Sequence, residues 1–133
     1  MEIDRRKFVM YLTVATVMAT PVLAGSQGAN HMYGLILKLT IAAGKRDEMI
    51  GILKESAVEM PGCLSYIVAK DTADDKAIWV TEVWDCAASH DASLSLPAVR
   101  DAIPQAKQIV SGFDKVAVTK PVWGVGLQSA NVH

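Results

Sequence analysis

The search for chemistry in this chain starts at His90. Of the three histidines, His31 and His133 lie in the flanks of the predicted fold, and His90 alone falls among its elements. An imidazole titrates near neutral pH and so suits a general base. A histidine on a helix surface or at a helix cap would do no chemistry, and from sequence both readings stay open. Glu82 and Trp84 are alternate residues of the segment Trp79-Val80-Thr81-Glu82-Val83-Trp84. In an extended chain they share one face, and Trp79 points to the other. A carboxylate between Val80 and Trp84 on an inward face must be paired, hydrated or perturbed. It is therefore either a reactive group or half of a structural salt bridge. Trp84 offers a stacking wall for a flat molecule, or simply core or interface packing. Tyr66 on a neighbouring strand could donate a hydrogen bond to a substrate oxygen, or to a backbone partner in the core. A base, a carboxylate, a hydroxyl donor and a flat apolar wall together suit acid–base chemistry on a small aromatic molecule.

The elements that must position these residues follow from periodicity. Tyr33–Ile41 is a short apolar run rich in β-formers and predicts a strand. From Lys45 to Met60 the period changes: Met49, Ile52, Leu53, Ala57 and Met60 form one face of an amphipathic helix, stopped by Pro61-Gly62. Cys63–Lys70 predicts a second strand with Leu64, Tyr66 and Val68 on one face. A polar turn at Asp71–Asp75 joins it to a third strand, Ala77–Trp84, as an antiparallel hairpin. Ala87–Gly112 predicts a helix interrupted at Leu96-Pro97, with Pro104 starting a further turn or kinking it. Lys115–Lys120 predicts the fourth strand. The order β-α-β-β-α-β is the ferredoxin-like split arrangement, an α+β fold with a four-stranded antiparallel sheet and helices on one face. The other face needs a cover, which in so small a chain implies self-association.

Composition narrows the class. One domain is all that 133 residues support, and 51% hydrophobic residues provide for a packed core. A formal charge of −1 and the lack of a Lys/Arg stripe argue against nucleic acid as a partner. Cys63 and Cys86 are too few for a disulfide scaffold and lack metal-ligand spacing. A hairpin whose paired numbers sum to about 147 would bring Cys63 near Cys86, where an oxidising compartment would permit a bond; two free thiols are the expectation. Residues 1–24 carry Arg5-Arg6-Lys7, then an uncharged stretch from Val9 ending in Val22-Leu23-Ala24. They predict a secretory signal of twin-arginine type cleaved after Ala24, with Asp4 departing from that motif, and hence periplasmic export. Residues 25–32 predict a flexible leader, 33–126 the folded domain and 127–133 a tail.

The turn Met60-Pro61-Gly62-Cys63-x-x-Tyr66, the strand pattern Trp79-x-x-Glu82-x-Trp84 and the segment Leu94-Ser95-Leu96-Pro97-Ala98-Val99, in this topology, resemble the antibiotic biosynthesis monooxygenase family. The resemblance spans Tyr33 to Gly126. It implies a homodimer whose two sheets close into an α/β barrel, each subunit holding a small-molecule cavity between sheet and helices. It further implies oxidation of a quinol-like or polyphenolic molecule with O2 and no cofactor, neither metal nor flavin. The expected site is His90 and Glu82 as catalytic groups, with Trp84 and Tyr66 binding substrate. A non-catalytic ligand-binding dimer, or an isomerase on the same scaffold, remains an alternative. Many quinol-oxidising relatives carry a histidine at the position of Ser93, whereas here the histidine stands at position 90. Haem-degrading relatives place an asparagine on the first strand, and none occurs between Tyr33 and Ile41, which argues against haem degradation.

Overall fold

Period-two burial writes the first strand: Leu35, Leu37, Leu39 and Ile41 are buried along β1 (Tyr33–Ile41), while Ile36, Lys38 and Thr40 face the other way. The computed structural model of the protein describes residues 31–128. The signal reading of residues 1–24, most of the leader and the end of the tail lie outside them. Six elements follow β1: α1 (Arg46–Ser56), β2 (Cys63–Lys70), β3 (Ala77–Trp84), α2 (Ala87–Ser93), α3 (Pro97–Ile109) and β4 (Val110–Thr119). The sheet order is β2-β3-β1-β4, and every pairing is antiparallel. This is the ferredoxin-like α+β arrangement. The core lies between the sheet and the helices, where Met49 and Ile52 of α1 and Ala106 and Ile109 of α3 pack on Leu35, Leu37, Leu39, Ile78 and Val80.

The β2–β3 hairpin holds the site, and its turn is firmly tied. The Asp71 side chain accepts the backbone N–H groups of Ala73 and Asp74 and the indole N–H of Trp79 at 2.7 Å. These bonds, the Trp79 bond foremost, hold its carboxyl down at about 2. Arg46 at the start of α1 donates to the carbonyls of Asp71 and Asp74. Tyr66 faces Glu82 across the hairpin, and paired numbers there sum to 148 rather than the expected 147 until a slip between Cys63 and Ser65 brings Cys63 opposite Trp84.

Three boundaries differ from the sequence expectation. The first helix ends at Ser56 rather than Met60, because the chain turns at Glu59 with a positive φ of 55°. Pro104 lies inside α3 without ending it; it removes only the donor that would have reached Arg100. The helix stops at Ile109, and β4 begins at Val110 rather than Lys115. Val110 falls within the predicted helix Ala87–Gly112, but it pairs with Ile41 across a register shift, and Ala42 donates to the Ile109 carbonyl at 2.7 Å. A β-branched residue beside a strand partner gains more from the ladder than from another helical turn.

Candidate active site

Between the helix-covered face of the sheet and the helices lies a cavity of about 150 Å³. Leu37, Leu39 and Val80 form its floor, and Met49 and Ile52 of α1 with Ala102 of α3 close it from above. Tyr66, Glu82, Trp84 and His90 all line it. The strand pattern explains three of them. Glu82 and Trp84 are alternate residues on the inward face of β3, and Tyr66 is Glu82's partner on β2. The fourth arrives on α2, which turns back over the sheet directly after β3.

Gly62 permits that return. Its φ is +84°, and a Cβ there would meet Ser89 Cβ at 2.5 Å and Asp85 Oδ1 at 2.7 Å. The Asp85 N–H donates to the Gly62 carbonyl at 2.9 Å. With no side chain at Gly62, the first turn of α2 lies against the start of β2, and His90 is brought down onto Trp84.

The imidazole is buried, with 6% of His90 exposed, so it is neither a surface nor a capping group. Its ring meets Trp84 edge-on, with centroids 5.5 Å apart and planes at 77°. Tyr33 packs at 5.5 Å on another side. Trp84 is wholly buried and donates its indole N–H to Glu82 Oε2 at 2.8 Å. The same oxygen lies 3.8 Å from His90 Nε2, and His90 Nδ1 lies 3.4 Å from Asp91 Oδ1. No Lys or Arg is among the residues lining the cavity.

Electrostatics follow from that setting. Burial raises the Glu82 pKa above the ordinary carboxylate range, against the Trp84 hydrogen bond and the His90 imidazole, which favour the charged form. Burial also pushes the Tyr66 phenol up, and Glu82 and Cys63 add to it. Tyr33 is raised by burial, then by Asp91 and Glu82. Burial thus favours the neutral form of each of these three groups.

Two neighbours fall outside the expected set of site residues. Ser93 is buried, lines the cavity and donates its hydroxyl to the His90 carbonyl at 2.6 Å. It stands one helical turn after His90, so both positions open on one cavity, and i,i+3 spacing was the signal that could have paired them. Tyr33, at the first position of β1, had been counted only as a strand residue. Cys63 and Cys86 are free thiols. The Cys63 thiol donates to the Ser65 carbonyl, and Cys86 contacts the Ser89 hydroxyl. Among the described residues no group of three or more His, Cys, Asp or Glu side chains could hold a metal ion.

Known proteins repeat this architecture. A Chloroflexus aurantiacus protein named for antibiotic biosynthesis monooxygenases is 52% identical over 73% of this chain and 99% of its own, with a TM-score of 0.70. Proteins of the same naming from Nitrosomonas europaea (12% identical, 74% of this chain and 97% of that one, TM-score 0.66) and Caulobacter crescentus (16% identical, 71% and 92%, TM-score 0.63) share the fold. A comparison with curated proteins finds no match. The family model for the antibiotic biosynthesis monooxygenase domain matches residues 32–105, and with it the chain belongs to the antibiotic biosynthesis monooxygenase family.

Proposed function

We propose that the protein is a cofactor-independent monooxygenase that oxidises a quinol- or polyphenol-like small molecule with O2, acting as a homodimer after export to the periplasm by the twin-arginine route. The observation that carries the reaction is the convergence of His90, Glu82, Trp84 and Tyr66 on one apolar cavity of about 150 Å³. A volume of that size accommodates a benzene-sized ring, which suits a single-ring hydroquinone as substrate. Its ring lies against Trp84, and one hydroxyl reaches the His90–Glu82 pair.

His90 takes the hydroxyl proton, and the Tyr66 O–H donates to the ring oxygen as charge builds there. Tyr66 keeps its proton because burial raises its pKa. The electron-rich anion passes one electron to O2, and the two radicals combine as a C–O bond to give a peroxide. Return of the proton to the outer peroxide oxygen gives a hydroperoxide. Its O–O bond then cleaves, the ring C–H at that carbon breaks, and that proton joins the departing hydroxide as water, leaving a hydroxylated quinone: one hydroquinone and one O2 give one hydroxyquinone and one H2O. The apolar walls keep bulk water from competing for the anion.

Oxygen uptake with a panel of hydroquinones and anthrones tests this reading. The expected result is stoichiometric uptake with single-ring hydroquinones, and one ¹⁸O atom from ¹⁸O2 in the product. Binding of hydroquinones without oxygen uptake would replace the reaction with a ligand-binding role.

A further inference from the structure

The His90 imidazole has two sides, and the reaction proposed above uses one. Nε2 faces Glu82 at 3.8 Å, with both side chains under a tenth exposed, whereas Nδ1 faces Asp91 Oδ1 at 3.4 Å, and the Asp91 side chain is 66% exposed. Burial thus falls away in one direction along three groups: a cavity carboxylate, a buried ring and a surface carboxylate. Nδ1 itself is buried and has no hydrogen bond among the described residues. At 3.4 Å the Asp91 contact misses only alignment, which an exposed side chain on a helix surface recovers by rotating about its own bonds.

We infer that Asp91 is the outer end of a proton path from the cavity to solvent, with His90 as the link between it and the substrate. The inference rests on the acid–base role assigned to His90. When the substrate O–H breaks, an N–H forms at Nε2, the N–H at Nδ1 breaks, and its proton passes to an Asp91 carboxylate oxygen and on to water. The ring is left as the Nε2–H tautomer. The reaction later needs a proton on the departing peroxide oxygen. Nε2 gives it, Nδ1 takes one back from Asp91, and the first tautomer is restored. No net proton is gained or lost, and the ring need not flip. Tyr33 from β1 and Cys63, Tyr66 and Glu82 from the hairpin are the other titratable groups facing this cluster, and all four carry raised pKa values. The Asp91 side chain, 66% exposed, is the carboxylate of this cluster that reaches water. Asp91 is a positioning and relay residue; it does not touch substrate.

The test uses the variants Asp91→Ala and Asp91→Glu. The side chain is exposed, so both should fold as wild type does. In ligand-free protein, ¹⁵N shifts of the His90 ring report the ratio of its two tautomers. A carboxylate at Nδ1 favours the Nδ1–H form, so Asp91→Ala should shift that ratio by about twofold or more, and Asp91→Glu should restore it. With methylhydroquinone and O2, Asp91→Ala should lower kcat by about tenfold with KM little changed. Added imidazole buffer should raise the variant's rate and leave wild type unaffected, because a diffusing base then replaces the missing relay. An unchanged tautomer ratio overturns the path, as does a slow variant that buffer fails to rescue. If wild type does not consume O2 with hydroquinones, the reaction falls, and the tautomer ratio alone then decides whether Asp91 governs His90.

Discussion

At the scale of single residues the site depends on a carboxylate where few are tolerated. Glu82 is 7% exposed, and burial raises its pKa. Its protonated form is therefore favoured on folding. Its contribution to stability is fully present below the unfolded carboxylate value, about 4.3, and is lost as pH rises from there through the folded value. Glu82→Gln removes this dependence. The variant should gain stability over wild type as pH rises from about 4 to 8, measured by urea unfolding at several pH values; a difference that stays flat with pH would show that Glu82 is not held protonated by the fold. His90→Ala should lower kcat by about a hundredfold, the usual scale for a positioned acid–base group, with circular dichroism confirming the fold. Full activity in that variant would leave the substrate's own acidity to supply the anion. Glu82, Trp84 and Tyr66 were legible from strand alternation alone, because period two fixes which side chains share a face. The burial of His90 was not, because it depends on where a short helix lies in three dimensions.

At the scale of elements, turns and strands were readable where a local residue dictates geometry, and misread where a distant partner decides. The hairpin follows from Asp71, whose side chain ties its own turn. The start of β4 does not, since Val110 becomes a strand residue only because Ile41 lies opposite. The one-residue slip at Cys63 belongs to the same class, a bulge set by how the strand end meets Gly62 and α2. Gly62 connects this element geometry to function. Gly62→Ala forces a side chain into φ +84° and against Ser89 Cβ, which costs about 1–3 kcal/mol for the backbone conformation alone. It should lower the thermal midpoint and push α2 outward. Activity should fall at temperatures where the variant is still folded, since the His90 position changes before the core melts. A variant as active and as stable as wild type would mean that α2 is placed by other contacts.

At the scale of the whole molecule, the face of the sheet that the helices leave uncovered decides the assembly. Pairing puts Ile36 opposite Thr81 on β1 and β3, and Ile67 opposite that same Thr81 on β2; Val83 and Ser65 form the next outward pair. Trp79 lies further along, with Lys38 over its ring at 5.5 Å. Ile67 is 56% exposed, and beyond β4 the segment carrying Val122, Trp123 and Val125 exposes each of them by 80% or more. This is a broad, mixed surface with apolar centres, which a sheet with helices on one side leaves in water unless something packs on it. A second copy is the simplest cover, because a two-fold axis lets one patch meet itself. Residues 25–133 should therefore run as a homodimer in light scattering at micromolar concentration. Ile67→Arg places a charge at the centre of the proposed contact, on a side chain that is already more than half in water. It should leave the fold intact by circular dichroism and shift the protein to monomer, since an unpaired buried charge opposes association strongly. A wild-type monomer would remove the barrel. A dimer that survives Ile67→Arg would move the interface off this face, to the exposed segment around Trp123.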